Sequence, residues 1–281
     1  MRPVAAYDDD LRFAHVLTDQ ADDVSLSRFR AVDLSVTIKS DRTPVSDADQ
    51  AVEDLLRTSL GRSRPRDAVL GEESGATGHG PRRWVIDPID GTKSYVRGVP
   101  VWATLIALMD GEESVLGVVS APALGRRWWA AVGTGAWTGR SLSAATPCHV
   151  SAVTQLADAS LSYSSLTGWD ELDRLPGFLE LTRRVSRTRA YGDFWSHMLV
   201  AEGAVDLACE PEVSLWDLAA VSVVVTEAGG RFTDLTGRPG PDGGSAVSSN
   251  GMLHQAALDL LVPTRDVPDG SLPDGDVTAA W

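Results

Sequence analysis

Apolar positions recur along this chain with two periods, and the change of period marks its elements. Across residues 8–31, Phe13, Leu17, Ala21 and Val24 fall at i, i+4, i+8 and i+11, one stripe of a helix. Asp8, Asp9 and Asp10 open it, where carboxylates cap free amides and favour the positive end of the helix dipole. A second helix is predicted from Ser46. Ser46 and Asp49 form an S-x-x-D capping box, and Ala48, Val52 and Leu55 follow on one face. Residues 32–45, with polar turn residues and Pro44, read as extended or loop structure.

From Val69 the period shortens. Residues 69–73, 84–87, 102–109, 115–120 and 127–132 are short apolar or alternating runs separated by Gly, Pro, Asp and Ser, as strands require. Asp110-Gly111 is a turn dipeptide between two of them. Residues 140–150 are polar, contain Pro147 and read as a seam between two halves. Beyond it, strands are predicted at 159–163, 205–209, 231–233 and 246–248. Helices are predicted at 172–184, 194–202, 216–228 and 254–261, and Gly229-Gly230 is a C-cap signal. The expected organisation is an N-terminal metal-binding half (1–145), a C-terminal half completing the site (146–262) and a disordered Pro-, Gly- and Asp-rich tail (263–281). The class is mixed α and β in packed layers.

Composition narrows the function. At 281 residues, with 43% hydrophobic and 23% charged positions, the chain is ordinary globular material, which excludes collagen and coiled coil. The net charge of −14 opposes nucleic-acid backbones and acidic membranes. No run approaches the roughly 20 apolar residues of a membrane helix, and the first residues do not read as a signal peptide. A soluble cytoplasmic protein is expected, with neither nucleic acid nor membrane as partner. Cys148 and Cys209 are too few for a disulfide framework or a four-thiolate zinc site and read as structural thiols.

The chemistry lies in three stretches. In Trp84–Thr92, WVIDPIDGT, an apolar strand runs into Asp87 and Asp90 around Pro88. The proline-fixed bend lets both carboxylates and the Ile89 carbonyl face one side, an oxygen set suited to hard divalent cations. Gly91-Thr92 then opens a helical turn whose amides suit a phosphate. Gly71-Glu72-Glu73-Ser74 places carboxylates at another strand end, and Trp216-Asp217 places one near a helix start. Each of these two is ordinary alone: a solvated edge, an N-cap. Together, carboxylates about 4 Å apart repel by roughly 4 kcal/mol at an effective dielectric of about 20, so a shared site calls for cations, with Mg²⁺ usual beside a phosphate.

GEES, WVIDPIDGT and WDLAAVSVVVTEAGG resemble the signature regions of the inositol monophosphatase family of metal-dependent, lithium-sensitive phosphatases, over about residues 10–262. The resemblance implies a layered αβαβα sandwich, usually a homodimer. It implies a first Mg²⁺ on Glu72, Asp87 and the Ile89 carbonyl, a second on Asp87, Asp90 and Asp217, and a third, weaker one leaning on Glu72 and water. It implies that Asp47 pairs with Thr92 to activate the attacking water, and that the Gly91 and Thr92 amides hold the phosphate. No Cys, Ser or His nucleophile stands out. His15, His79, His149, His197 and His254 lie outside the motifs and read as structural.

Residues 96–108, 187–220 and 240–251 resemble the histidinol-phosphate branch of that family more closely, with Ser94-Tyr95 a small departure where Asn-Phe is commoner. A substrate of that kind carries an ammonium and an imidazole beside its phosphate, and a matching pocket offers carboxylates and an aromatic face. Asp193, Phe194, Trp195 and Glu210 offer both, though Phe194 and Trp195 suit core packing as well. Arg189 is a candidate contact for substrate phosphate or for a dimer partner, or is an ordinary surface arginine. The expected activity is Mg²⁺-dependent hydrolysis of histidinol phosphate in histidine biosynthesis. The alternatives are an inositol-1-phosphate or broader sugar-phosphate phosphatase on the same metal site, and a non-catalytic metal-dependent interaction protein.

Overall fold

Strands that are apolar on both faces need cover on both sides, and the fold supplies it. The computed structural model describes residues 7–39 and 43–261. The chain runs α1 (Asp8–Arg28), β1 (Val36–Ile38), β2 (Pro44–Ser46), α2 (Asp47–Ser63), β3 (Ala68–Gly71), β4 (Gly75–Thr77), β5 (Arg82–Asp90), α3 (Thr92–Val96), β6 (Ala103–Asp110), β7 (Glu113–Ala121), β8 (Arg126–Ala131), β9 (Ala136–Ser141) and β10 (Ala144–Cys148). It continues through β11 (Ser160–Ser162), α4 (Thr167–Glu171), α5 (Leu175–Arg184), β12 (Arg187–Arg189), α6 (Asp193–Ala201), β13 (Leu207–Glu210), α7 (Leu215–Glu227), β14 (Arg231–Thr233), β15 (Ala246–Ser249) and α8 (His254–Leu261).

An eight-stranded sheet has the order β10-β9-β8-β7-β6-β5-β3-β4, antiparallel except for β3 beside β5. Alternation in β5 and β6 shows why both faces are dry. Trp84, Ile86, Ile106 and Leu108 pack with Leu17, Ala21, Val52, Leu56 and Leu60 of α1 and α2. Val85, Leu105, Ala107 and Met109 point the other way, onto Phe194, Met198 and Leu218 to Val225 of α6 and α7. The five-stranded sheet, β12-β11-β13-β15-β14, adds Ala208 and Ala246 to that same central core. Its outer face, with Leu161, Leu207 and Val247, is covered by Trp169, Phe178, Leu258 and Leu261 of α4, α5 and α8. The layering is αβαβα. α7 lies between two sheets, which is why LWDLAAVSVVVTE is apolar nearly all round.

Differences from the sequence reading have local causes. α1 stops at Arg28 rather than at residue 31, because Phe29 is extended and Arg30 takes a positive φ of 62°. Its buried stripe includes Thr18 and Ser25, whose hydroxyls donate to the carbonyls of Ala14 and Ala21. Leu56 and Leu60, not Leu55, complete the buried face of α2. The seam at 140–150 holds the antiparallel pair β9–β10, and the 145/146 boundary falls inside β10. The tail at 263–281 lies outside the described residues. No helix among the described residues is long and apolar enough to cross a membrane.

Candidate active site

β5 turns its end into a ligand by breaking register. Asp87 pairs with Leu105 and Asp90 with Ala103, so one extra residue is accommodated on the β5 side, a bulge. Pro88 sits in it, where its missing N–H costs no ladder bond, and its carbonyl accepts from Thr104 Oγ1 at 2.8 Å. The bulge brings Asp87 and Asp90 onto one side. Asp217, the third residue of α7, meets them there, closing a capping box in which the Ser214 amide donates to its Oδ2 at 2.7 Å. One oxygen from each of Asp87, Asp90 and Asp217 lies within 4.8 Å of the others.

That trio fits a cation. Asp87 is 1% exposed, and its Oδ1 has no hydrogen-bond partner among the described residues. Burial pushes Asp87 well above the carboxylate range, and Glu72, Asp90 and Asp217 push it further. Asp90 is also raised well above that range, by burial and then by Asp193 and Asp217. Asp217 is pushed up to about 7, chiefly by burial, with the Ser214 amide acting in the opposite sense. An orphaned buried oxygen and three carboxyls that resist ionising together are what a divalent cation would relieve. The Phe194 amide, at the start of α6, donates to Asp90 Oδ2 at 2.7 Å and fixes that carboxylate.

Glu72 follows β3 and faces the same cavity, with its Oε1 2.8 Å from Lys39 Nζ. The Ile89 carbonyl accepts from Thr92 Oγ1 at 2.9 Å, and Ile89 lines the cavity. Gly91 has a positive φ of 84°, and a Cβ there would stand 3.0 Å from the Val101 carbonyl, so only glycine suits this step into α3.

The pairing of Asp47 with Thr92 is not formed. Asp47 bonds Arg28 through Oδ2 at 2.7 Å, away from the cavity. Thr92 Oγ1 faces Asp49 Oδ1 at 3.2 Å instead. Both residues open α2, but a helix turns about 100° per residue, and two positions on, the side chain faces the site. Asp49 is fully buried, and its other oxygen accepts from the amide and hydroxyl of Ser46 at 2.8 and 2.6 Å. The capping box was visible in the sequence; its second role needed the fold. Glu53, one helical turn further, was missed. Its buried carboxylate accepts from the amides of Glu73 and Ser74 at 2.8 and 2.9 Å and sets the loop that carries Glu72.

The cavity, about 520 Å³, extends from the carboxylate trio to a second acidic wall formed by Asp193 and Glu210. Ser164 links these two: its Oγ accepts from the Asp193 amide at 3.0 Å and donates to Glu210 Oε1 at 2.5 Å. Asp193 is pushed up to about 6 by burial and then by Glu210, with Lys93 pulling it down. Burial raises Glu210, against the Ser164 hydrogen bond. Phe194 lines the cavity while packing on Trp128, and Trp216 adds a second aromatic face. Trp195 is not among the lining residues; it packs on Tyr191. Arg189 lies exposed on edge strand β12, outside the cavity, with its guanidinium on the Thr188 carbonyl. His197 does line the cavity, unlike the sequence expectation for the histidines.

With this fold and this cage of carboxylates, the chain belongs to the inositol monophosphatase family, whose profile matches residues 8–265. Among its relatives, the histidinol-phosphatase of Streptomyces coelicolor is 64% identical over 91% of this chain and 97% of its own length. That of Mycobacterium tuberculosis is 57% identical over 90% of this chain and 98% of its own length. The solved inositol monophosphatase of Zymomonas mobilis superimposes with a TM-score of 0.81 at 30% identity, covering 91% of this chain and 98% of that one.

Proposed function

We propose that this chain hydrolyses L-histidinol phosphate to L-histidinol and phosphate, with Mg²⁺ held by Asp87, Asp90, Asp217, Glu72 and the Ile89 carbonyl. The observation that carries the substrate is the second acidic wall. Asp193 and Glu210 are carboxyls held away from bulk water with no cationic side chain among the described residues bonded to them. A substrate ammonium would neutralise them; a neutral polyol brings no such charge. The histidinol-phosphatase relatives point the same way.

Bound divalent cations supply Lewis-acid polarisation and lower the pKa of water near neutral pH. The chain's own groups do the rest. Thr92 has one hydroxyl hydrogen and two acceptors in reach, the Ile89 carbonyl at 2.9 Å and Asp49 Oδ1 at 3.2 Å. With that carbonyl taken up by a cation, the hydrogen would go to Asp49 and leave the threonine oxygen to orient the attacking water. Asp49, raised chiefly by burial, accepts the proton near neutral pH more readily than an ordinary aspartate. The Gly91 and Thr92 amides at the start of α3 hold phosphate oxygens. Phe194 ties the two halves together, its amide on Asp90 and its ring on the substrate wall. Arg189, outside the cavity, is left as a dimer contact or an ordinary surface arginine.

Asp193→Asn tests the wall without disturbing the backbone, because asparagine also tolerates the positive φ of 50° at this position. The expected result is a fall of about 30-fold in kcat/KM for histidinol phosphate, with inositol 1-phosphate within about threefold. An equal fall on both substrates would remove Asp193 from substrate selection.

A further inference from the structure

A buried imidazole at the substrate wall is left unused by this chemistry. His197, on α6, is 1% exposed and lines the cavity. Its Nδ1 is 2.5 Å from Ser248 Oγ, while its Nε2 has no hydrogen-bond partner among the described residues and lies 3.8 Å from Glu210 Oε1. Burial pushes its pKa down to about 4, so the ring is neutral at physiological pH.

We propose that His197 is a positioning residue for Glu210 and through it sets the preference for a cationic substrate, an inference that rests on the function proposed above. The tautomer follows from the neighbours. Ser248 can donate or accept, whereas an ionised Glu210 can only accept. With a cation bound and Glu210 ionised, the ring proton is therefore on Nε2, facing the carboxylate, and Ser248 donates to Nδ1. Ser164 Oγ already donates to the same carboxylate oxygen at 2.5 Å. With both donors on the Oε1 side, Oε2 is the oxygen left for a substrate ammonium. At 3.8 Å the Nε2–H is beyond hydrogen-bond range in the free protein. A sub-ångström approach closes it, and the carboxylate attracts that N–H most strongly when ionised, the state that a bound cation favours. A buried N–H with no acceptor costs stability, and that cost is relieved when Glu210 is drawn in as an anion.

Three variants test this: His197→Phe, which keeps a flat ring without the N–H; His197→Gln, which restores an N–H donor near Nε2; and Ser248→Ala, which frees the tautomer. KM and kcat for histidinol phosphate and for inositol 1-phosphate are measured, together with the Kd of L-histidinol by calorimetry. For His197→Phe, KM and the L-histidinol Kd are expected to rise about tenfold, with kcat within about threefold and inositol 1-phosphate unchanged. His197→Gln recovers most of the loss, and Ser248→Ala shows a smaller rise of the same kind. Equal losses on both substrates, a fall in kcat alone, or no recovery in His197→Gln would overturn the proposal. If His197→Phe does not fold, the other two variants decide it: unchanged KM and Kd in Ser248→Ala would count against it. A wild-type enzyme with no preference for histidinol phosphate would instead overturn the substrate reading beneath it.

Discussion

Asp49 and Asp47 stand two positions apart, and only Asp49 bonds Thr92. Asp49 meets Thr92 across 43 positions of sequence, whereas Asp47 is engaged by Arg28. Asp49→Asn is therefore expected to lower kcat by about 10²–10⁴-fold, the usual contribution of a positioned general base. Asp47→Asn, which loses a partly exposed ion pair, should stay within about threefold. Steady-state phosphate release on both variants, with Tm measured alongside, checks this; a larger loss in Asp47→Asn would reverse the assignment. The difference also shows what sequence makes legible at this scale. Asp87, Ile89 and Asp90 lie on one local bend, so their spacing alone suggested a shared face. Asp49 and Glu53 act at a distance, and the sequence showed only the cap that Asp49 forms with Ser46.

At the scale of elements, the site is a set of helix starts and strand ends. The bulge in β5 aims Asp87 and Asp90, the third residue of α7 supplies Asp217, α6 begins on Asp90, and α2 brings Asp49 and Glu53. Gly71 closes β3 over Glu53, whose carboxyl carbon would stand 2.5 Å from any Cβ there, so the glycine is what lets the loop seat on that carboxylate. Elements with one strong apolar pattern were readable: α8 and β14 match their predicted spans, and β5 to β8 lie where the alternating runs fall. Those missed have little buried surface. β4 is half-buried to exposed, and β10 is mostly exposed, so no burial period marked them. Their pairing comes from neighbouring strands, which a local pattern does not record.

For the whole molecule, burying an acidic cage couples stability to pH and metal. Asp217, raised to about 7, and Asp87 and Asp90, raised well above the ordinary carboxylate value, bind more protons folded than unfolded. The unfolding free energy therefore falls as pH rises from the unfolded values near 4 through the folded ones. His15, His197 and His254, each lowered to about 4 by burial, act in the opposite sense as pH falls below about 6.5. Above that pH the raised carboxyls act alone until, toward pH 9, the buried thiols of Cys148 and Cys209, also raised by burial, act in the same sense. The Tm of metal-free protein is thus expected to fall between about pH 6.5 and 8.5, and millimolar Mg²⁺ should raise Tm more at the upper end than at the lower. A flat metal-free profile, or a Mg²⁺ effect independent of pH, would contradict the cage.

The two apolar sheet faces follow from the apolar pattern, and Asp87 and Asp90 on one bend from their spacing. The layer order and the full carboxylate set were what the family resemblance implied, and the proposed basis of substrate choice is that Asp193 and Glu210 meet at one wall through Ser164. The direct test is kcat/KM with Mg²⁺ for histidinol phosphate, inositol 1-phosphate, fructose 1,6-bisphosphate and adenosine 3′,5′-bisphosphate. A preference for histidinol phosphate of about a hundredfold or more is the predicted result, the worth of one desolvated charge pair. A flat profile, or a preference for inositol 1-phosphate, would contradict it while leaving the metal cage in place.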